Sequence, residues 1–453
     1  MNSMLSTAAA AMQGSLQGAD RIFDGVSTDT RTISRGQLFF ALHGPNFDGG
    51  EFVDMATEKG AAGAVVTAPT SAKLAQIKVA DTRLALGQLG AAWRQQHAAT
   101  VVGVTGSNGK TTLKEMIAVC LAQVAPTLAT AGNLNNDIGM PLMLLRINAT
   151  HRYAVLEMGA NHGGEIAYLT ALAQPQVVVI NNAGTAHLEG FGSITGVAEG
   201  KGEILRGEPR PRYAILNNDD NFFEYWRSQV DDVEVISFGL TDVADVFASA
   251  VEAGKGATAF RLHLPAETID IRLPFVGAHN VRNACAAAAV AVALKISAAQ
   301  IKTGLESLSP VDGRLQPALG LHGATLYDDS YNANPVSVCA AAEFLATLKG
   351  ENWIILGDMG ELGDVAAALH RDVGAALQTA GINRLFATGL LSRETVAAFG
   401  VGGAWFAAID ELIAGVSSEL RADVNVLVKG SRSARMERVV SAIRAPQPMR
   451  QEA

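Results

Sequence analysis

The segment TGSNGKTT at residues 105–112 combines the residue types that bind a nucleotide phosphate. It lies between VVGV at 101–104 and LKEM at 113–116, which predicts a buried strand, a glycine turn and a helix. Backbone N–H groups in such a turn hold phosphate oxygens, and the helix adds its positive N-terminal dipole. Lys110 would then lie along the β- and γ-phosphates, and the Thr111 hydroxyl would bind Mg²⁺. The candidate nucleotide-binding residues are therefore Thr105, Gly106, Ser107, Asn108, Gly109, Lys110, Thr111 and Thr112.

This loop departs from the usual phosphate-loop pattern at one position. The pattern G-x-x-x-x-G-K-[ST] requires glycine at position 104, where this chain has Val104. For a bare GK[ST] sequence, the alternative is a strand–helix turn that carries a solvated lysine. The strand before the loop, the helix after it and the glycines at 103, 106 and 109 favour the phosphate site.

Further polar residues follow other apolar stretches of the chain. Glu157 ends the stretch YAVLE, and Asn181 and His187 come after QVVVI. In parallel sheets ligands bind beyond the carboxyl ends of the strands, and all three residues are expected there together with Lys110. A carboxylate at that position suits a hard cation, so Glu157 is a candidate metal ligand. Taken alone, Glu157 could equally cap a helix or form a salt bridge, His187 could be a hydrogen-bonded loop residue, and Lys201 in EGKGE could lie in a solvated turn.

The elements that must position these residues indicate an α/β protein of three domains, since 453 residues exceed one ordinary core. Residues 1–83 form a small N-terminal α/β domain. Residues 84–312 contain VVGVT, YAVLEMG, QVVVINN and YAILNND, separated by amphipathic stretches, which is typical of a parallel sheet covered on both faces. Residues 313–453 repeat the strand-then-polar-turn pattern in NWIILGD, RLFATG and VNVLVKGS, so a smaller, Rossmann-like doubly wound domain is predicted.

Composition and charge exclude several classes of protein. The formal net charge of −9 and the absence of a basic stripe argue against a nucleic-acid partner. The apolar run at 284–294 is shorter than the ~20 residues that a membrane span needs, and no basic segment precedes the N-terminal alanines as in a signal peptide. We therefore expect a cytoplasmic protein. The three cysteines, Cys120, Cys285 and Cys339, are widely spaced, so neither a disulfide framework nor structural zinc is expected.

A series of motifs over nearly the whole chain resembles the Mur ligase family, which also includes the folylpolyglutamate synthases. The variant loop TGSNGKTT is followed in order by TAGNLNNDIGMPLMLL, LEMGANHGGEI, NNAGTAHLEGFGS, EGKGEI, GAHNVRNACAA, GRLQ, DDSYNANP, ILGDMGELG and VLVKGSRS. Each motif is weak alone, but their order and spacing are specific. The resemblance implies an N-terminal UDP-binding domain, a central ATPase domain and a C-terminal domain that binds an amine substrate.

Within the family, the motifs are similar to the branch that joins D-alanyl-D-alanine to UDP-N-acetylmuramoyl-tripeptide, in the last cytoplasmic step of peptidoglycan precursor synthesis. ATP would phosphorylate the tripeptide carboxylate, and the amine would attack the resulting acyl phosphate. An anionic carboxylate must then approach an anionic γ-phosphate, so positive charge has to gather there. The resemblance implies that Lys110, His187, Lys201 and Asn135 are catalytic, that two Mg²⁺ ions are bound by Thr111, Glu157, His187 and Lys201, and that Lys201 is carbamylated by CO₂.

The resemblance also implies contacts to the nucleotide and to both substrates. Around ATP it places His279, Asn280, Asn283, Arg314, Asp328, Asn332 and Asn334, with helix capping as the alternative for the asparagines. Facing the γ-phosphate and the incoming carboxylate it places Asn133, Asn135 and Asn136. For the UDP group the candidates are Ser27, Thr28, Asp29, Arg31, Asn46 and Asp48, which could equally form ordinary polar turns. For D-alanyl-D-alanine they are Lys429, Ser431 and Arg432 at the carboxylate and Asp358 and Glu361 at the ammonium.

Two other functions compete with this one. A sister ligase adds diaminopimelate or lysine, but the D-N-P-R motif of the diaminopimelate form is absent from this sequence. A nucleotide-binding regulator that only hydrolyses ATP would leave Lys201 and the UDP-type domain unexplained. We expect a monomer with a hinge near Arg314, whose third domain stands away from the phosphate loop until ligands bind.

Overall fold

The computed structural model describes residues 1–44, 47–254, 256–309 and 311–446. Three sheets of five, nine and six strands, each covered by helices, form the body of the protein, so the predicted α/β class with three domains is confirmed. The predicted boundaries after residues 83 and 312 stay predictions. The first lies within a helix, Thr82–Gln95, that contacts helices of both the N-terminal and the central unit. Within the described residues, no helix has the length and apolar composition needed to cross a membrane.

The N-terminal sheet has five strands in the order β2-β9-β8-β5-β4, parallel except at the β2–β9 pair. Alternate residues of β5 point to opposite faces, with Leu38 and Phe40 in one apolar cluster and Phe39 in another. The elements are β1 (Asn2–Met4), α1 (Leu5–Ala11), β2 (Ser15–Gln17), β3 (Ile22–Asp24), β4 (Val26–Ser27), β5 (Leu38–Phe40), β6 (His43–Gly44), β7 (Phe47–Asp48), α2 (Val53–Glu58), β8 (Gly63–Val66) and β9 (Gln76–Lys78).

The central sheet has nine strands in the order β11-β12-β10-β13-β14-β15-β16-β17-β18 and is parallel from β11 to β16. Its elements are α3 (Thr82–Gln95), β10 (Thr100–Thr105), α4 (Lys110–Ala122), β11 (Thr127–Ala129), α5 (Gly139–Leu144), β12 (Tyr153–Glu157), α6 (Glu165–Ala173), β13 (Val177–Ile180), α7 (Leu188–Phe191), α8 (Ile194–Gly202), β14 (Tyr213–Asn217), α9 (Phe223–Arg227), β15 (Glu234–Gly239), β16 (Val246–Ala253), β17 (Thr258–His263), β18 (Thr268–Leu273), α10 (Ala278–Ala293) and α11 (Ala298–Glu306).

Both faces of this sheet are buried, as its continuous apolar strands require. Val102 and Val104 of β10 pack against α4 and α10 on one face, whereas Val101 packs against α5 and α6 on the other. The alanine-rich helix α10 is buried along most of its length, because small side chains let it approach the sheet and α4 closely. In this sheet β10, the first strand of the central domain along the chain, lies between β12 and β13. The loops that follow these three parallel strands meet at one edge of the sheet.

The third sheet has six strands in the order β19-β20-β24-β21-β22-β23, parallel except at the β19–β20 pair. Its elements are β19 (Gln316–Leu319), β20 (Thr325–Asp329), α12 (Pro335–Ala346), β21 (Glu351–Gly357), α13 (Ala366–Thr379), β22 (Arg384–Thr388), α14 (Ser392–Phe399), β23 (Gly403–Phe406), α15 (Ile409–Glu419), β24 (Val424–Lys429) and α16 (Glu437–Ile443). Short 3-10 helices occur at Gly49–Phe52, Glu203–Arg206, Leu321–Gly323, Gly363–Val365 and Arg432–Ala434.

Candidate active site

A cleft of about 1380 Å³ lies between the central and third domains. The central domain contributes the loops after β10, β12 and β13 and the start of α10. The third domain contributes the loops after β20, β21 and β24. Both walls are thus built at the carboxyl ends of parallel strands, where open α/β sheets bind their ligands.

The phosphate loop has the predicted strand–turn–helix geometry. Gly109 has a left-handed φ of 76°, and α4 begins at the next residue, Lys110. A Cβ atom at Gly109 would lie 2.8 Å from Asn181 Nδ2, so this position requires glycine for both conformation and space. Lys110 Nζ donates to Gly106 O at 2.6 Å, and burial lowers the pKa of Lys110, against the opposing effect of Glu157.

The candidate metal ligands Thr111 and Glu157 lie side by side. Thr111 Oγ1 donates to Glu157 Oε2 at 3.0 Å, and Asn135 Nδ2 donates to Glu157 Oε1 at 2.8 Å. Oxygen donors of this kind suit Mg²⁺, which usually takes one or two protein ligands plus phosphate oxygens and water. Arg314 donates to Thr111 Oγ1 at 3.3 Å while its guanidinium stacks over the Tyr331 ring, 4.2 Å from the centroid. These residues fit one Mg²⁺ at the phosphate loop.

The second predicted metal set, His187 and Lys201, does not form a site of this kind. His187 lines the cleft, but Lys201 is fully buried behind the wall, with Nζ 5.0 Å from the centroid of the Phe191 ring and 3.4 Å from Ala160 O. Burial, and then the charge of Lys110, lowers the pKa of Lys201 to about 7. Among the described residues, no group of three or more His, Cys, Asp or Glu side chains could hold a metal ion.

His187 instead pairs with a residue of the third domain. Its Nδ1 lies 2.5 Å from Glu361 Oε2, and the interaction with His187 holds the pKa of Glu361 below its usual range. Asn334 Nδ2 also crosses the cleft, donating to Asn108 Oδ1 at 2.6 Å. The third domain is therefore docked on the phosphate loop, and the arrangement that we expected before ligands bind, with this domain rotated away, is not the one in the structure.

The predicted adenine residues all line the cleft at the start of α10. Burial lowers the pKa of His279 to about 4, so this imidazole is neutral at pH 7. The two asparagines are already engaged: Asn280 Nδ2 donates to Val276 O at 2.8 Å, and Asn283 Oδ1 accepts from Asn181 Nδ2 at 2.9 Å. On the opposite side of the loop, Asn133 and Asn136 line the cleft as well, and Asn136 Oδ1 accepts from Gly139 N at the start of α5.

Asp328 is not placed as predicted. Its Oδ1 accepts from the Ser330 N–H and hydroxyl, and it does not line the cleft. Successive residues of a strand point to opposite sides, so the next residue, Asp329, faces the cleft instead. Asn332 and Asn334 line the cleft, and Asn332 Oδ1 accepts from Ala333 N.

The predicted amine-binding residues are partly brought together. Lys429 Nζ donates to Asp329 Oδ2 at 2.6 Å in the cleft wall, where Lys429 is buried and Asp329 is partly buried. Ser431 and Arg432 line the same wall; Ser431 shares a hydrogen bond with Ser433, whereas Arg432 is largely exposed. Glu361 lines the cleft, but Asp358 does not, because its Oδ1 accepts from the N–H and hydroxyl of Ser392 at the start of α14. The prediction that Asp358 faces the ammonium stays a prediction, and the position of its side chain in this structure does not support it.

The predicted UDP-binding residues do not line the cleft. Ser27 Oγ accepts from Asp29 N, and Asp29 forms a two-pronged ion pair with Arg31, which lowers the pKa of Asp29 to about 2. Asp48 caps the 3-10 helix that follows it by accepting from Gly50 N. Thr28 is partly buried in the same turn as Ser27, and Asn46 lies outside the described residues.

Several cleft residues were not predicted as site residues. Asp329 lay beside a predicted aspartate, but only the strand register shows which of the two faces the cleft. Asn182 lines the cleft and binds the phosphate loop, as does Asn181, which the sequence had already placed at this edge of the sheet. The position of Asn182 directly after Asn181 was the available signal. Arg282, near the start of α10, forms an ion pair at 2.8 Å with Asp219, in the loop after β14. Nothing in the linear sequence relates these two residues.

Comparison with known proteins agrees with this geometry. Family models match three parts of the chain: the Mur ligase family catalytic domain at 23–118, the Mur ligase middle domain at 104–291 and the Mur ligase glutamate ligase domain at 313–432. The UDP-N-acetylmuramoyl-tripeptide–D-alanyl-D-alanine ligase of Escherichia coli K12 is 45% identical over 435 residues, covering 95% of this chain and 96% of that protein. The chain belongs to the Mur ligase family.

Other Mur ligases are similar over most of their length. The enzyme of the same name from Haemophilus influenzae is 38% identical and covers 96% of each chain. The crystal structure of MurF from Acinetobacter baumannii superposes with a TM-score of 0.93 at 38% identity, over 97% of this chain and 98% of that one. The MurF ligase of Thermotoga maritima in complex with ADP gives a TM-score of 0.81 at 25% identity, over 92% and 96%. The predicted family and its fold are thus confirmed.

Proposed function

We propose that this Mur ligase uses ATP to join D-alanyl-D-alanine to UDP-N-acetylmuramoyl-tripeptide, forming an amide bond in peptidoglycan precursor synthesis. The observation that carries the proposal is the 45% identity over 95% of the chain to the Escherichia coli ligase of that name. The cleft supports it, because a phosphate loop on one wall faces a buried lysine and a serine pair on the other.

The resemblance to the family implies a reaction in two steps, and residues of both walls could serve it. The terminal carboxylate of the tripeptide attacks the γ-phosphorus, an O–P bond forms, and ADP leaves. The amine nitrogen then attacks the acyl carbon, loses a proton, and phosphate leaves from the tetrahedral intermediate. Lys110, whose amine lies on the phosphate loop, and Arg314, which contacts Thr111 at the start of α4, would offset the charge of two anions brought together. Asn135 would orient Glu157 and the loop that meets the carboxylate.

Metal binding and lysine carbamylation are part of the proposal. Mg²⁺ held near Thr111 and Glu157 would neutralise charge on the β- and γ-phosphate oxygens. A buried amine with a pKa near 7 is partly neutral, and a neutral amine is what CO₂ requires to form a carbamate. The covering Phe191 ring would have to move before Lys201 and His187 could share a second ion.

Further details remain our proposals. Lys429, Ser431 and Arg432 would hold the D-alanyl-D-alanine carboxylate, and Glu361 its ammonium. The turn at Ser27 to Arg31 and the segment at Asp48 would bind the UDP group on the N-terminal domain. The names of the relatives mention only small-molecule substrates, which agrees with the absence of a nucleic-acid partner. That the protein is a monomer and works in the cytoplasm is our proposal as well.

The first experiment separates ligation from simple ATP hydrolysis. Phosphate release is measured with ATP alone, with UDP-tripeptide, and with UDP-tripeptide plus D-alanyl-D-alanine, diaminopimelate or lysine. We expect sustained release only when UDP-tripeptide and D-alanyl-D-alanine are both present. Release that needs neither would indicate an ATPase, and release driven by diaminopimelate or lysine would indicate a sister ligase.

The second experiment removes the phosphate-loop charge. Lys110→Ala should lower turnover on the order of a hundredfold or more, because the lost group acts on charge at the reacting centre. Circular dichroism and thermal melting provide the control for folding. Activity within a few-fold of wild type in folded protein would contradict the proposed role of Lys110.

A further inference from the structure

The loop after β13 forms hydrogen bonds with the phosphate loop at Asn108. Asn182 Oδ1 accepts from Asn108 N at 2.8 Å, and Asn182 Nδ2 donates to Asn108 O at 3.1 Å. The backbone of Asn182 adds a third bond, since its carbonyl accepts from Ser107 N at 3.0 Å. Because an N–H can only donate, the amide of Asn182 has one orientation that satisfies both contacts. One side chain therefore fixes both backbone polar groups of one loop residue.

Asn181 also binds the backbone of Asn108. Its Nδ2 donates to Asn108 O at 2.9 Å and to Asn283 Oδ1 at 2.9 Å, which links the phosphate loop to α10. Both Asn181 and Asn283 are almost completely buried. The N–H groups of Ser107 and Asn108 are thus used within the protein, and the N–H groups at the start of α4 are left as the donors for phosphate oxygens.

The side chain of Asn108 is held from the third domain. Asn334 Nδ2 donates to Asn108 Oδ1 at 2.6 Å, while Asn334 Oδ1 accepts from Ser337 N and caps α12. The cap fixes which end of the Asn334 amide faces the loop. The contact therefore joins a helix of the third domain to the residue whose backbone Asn182 holds.

We propose that Asn182 and Asn334 are positioning residues that act on ATP through Asn108, with Asn182 setting the shape of the phosphate loop and Asn334 coupling that shape to the docked third domain. This role rests on the proposed ATP binding, but not on the identity of the amine or the peptide substrate. It differs from the direct nucleotide contact that the sequence suggested for Asn334.

The test of Asn182 is the affinity for a non-hydrolysable ATP analogue, measured by calorimetry on the full chain, with ligation kinetics beside it. Asn182→Ala loses two hydrogen bonds to the loop, so we expect the Kd of the analogue to rise about tenfold. The KM for UDP-tripeptide should stay within about twofold, because the loop does not hold that substrate. Asn425→Ala is the matched control, since Asn425 is a buried asparagine bonded to Lys349 O and Asn352 in the third sheet. It should lower the melting temperature without changing the Kd.

The test of Asn334 is a double-mutant cycle. Asn334→Ser keeps a helix-capping residue but is too short to reach Asn108, and should raise the Kd of the analogue about threefold to tenfold. In an Asn108→Ala background the same change should have no further effect. Additive effects would overturn the coupling and indicate direct nucleotide contact. An unchanged Kd in folded Asn182→Ala would overturn the role of Asn182, and both results are independent of whether ligation is observed.

Discussion

Two lysines are buried in different domains of this ligase, and their surroundings differ. Lys429 at the end of β24 is 4% exposed, and its Nζ donates to the Asp329 carboxylate at 2.6 Å. Lys201 at the end of α8 is 0% exposed, and its amine lies 5.0 Å from the centroid of the Phe191 ring and donates to Ala160 O at 3.4 Å. Among the described residues, no carboxylate forms an ion pair with Lys201.

The difference shows that burial alone does not define the chemistry of a lysine. A buried ammonium that is paired with a carboxylate keeps its charge and serves as an anchor. A buried ammonium without such a partner loses hydration with little in return, so its neutral form is favoured and its pKa falls to about 7. Lys429 is therefore held in place by its carboxylate partner, whereas Lys201 is suited to react as an amine.

The largest expected effect is the loss of activity in Lys201→Ala. Under the proposed carbamylation, this change should lower turnover on the order of a hundredfold or more, because it would delete an anionic metal ligand. A short carboxylic acid in the buffer should restore part of the activity, whereas the same acid should have no effect on Lys429→Ala. High-resolution density that shows a bare ammonium in an active, metal-loaded complex would rule out the carbamate.

The next largest effect concerns what the Lys429–Asp329 pair contributes to the stability of the protein. Lys429→Met leaves the partly buried Asp329 carboxylate without its partner, which should lower the free energy of unfolding by about 3 kcal/mol, the lower end of the range for buried pairs. Changing both residues, to Met and Asn, should recover most of that loss. Arg371→Ala, which breaks the exposed pair with Glu394, is the control and should cost about 0–1 kcal/mol. Urea unfolding curves measure the stability of all three variants. Equal losses of stability at the Lys429 and Arg371 pairs would contradict the view that burial gives the first pair its larger effect.

A smaller effect is the pH dependence that Lys201 contributes to stability. The unfolded chain keeps the Lys201 proton up to its ordinary pKa of 10.5, whereas the folded chain releases it near 7. Between these values the unfolded state binds more protons, so stability rises with pH. Relative to Lys201→Met, the melting temperature of wild type should therefore increase from about pH 7 to about pH 9 in buffer free of CO₂ and metal. A difference that is flat or that falls over this range would show that the amine stays charged.

The smallest effect is expected at Asp358, a carboxylate that already has its partners. Asp358→Ala removes the cap of α14 and should lower the free energy of unfolding by about 1 kcal/mol. The KM for D-alanyl-D-alanine should stay within about twofold, because Asp358 does not line the cleft. The matched change Glu361→Gln, at a residue that does line it, should raise that KM. A rise of more than about tenfold in Asp358→Ala would return this residue to the amine site.

The phosphate loop and the sheet that carries it were determined by the sequence alone. An apolar strand, glycines with the required spacing and a following helix are local features, and local backbone chemistry dictates their geometry. The positions of Lys110, Thr111 and Glu157 at one edge of the sheet follow from the rule that parallel strands end on the same side. The family motifs also predicted the functions of the other two domains, because the order of motifs can be read directly from the sequence.

Only the tertiary structure decided which polar groups have partners. Asp328 and Asp329 are equivalent in the sequence, but strand register sends one toward Ser330 and the other toward Lys429. Asp358 is used by a helix that begins 34 residues later, and Asn108 is held by residues 73, 74 and 226 positions away. A polar group in the cleft that a folded neighbour already satisfies must exchange that partner before it binds a ligand, and those neighbours are brought together by packing between distant segments.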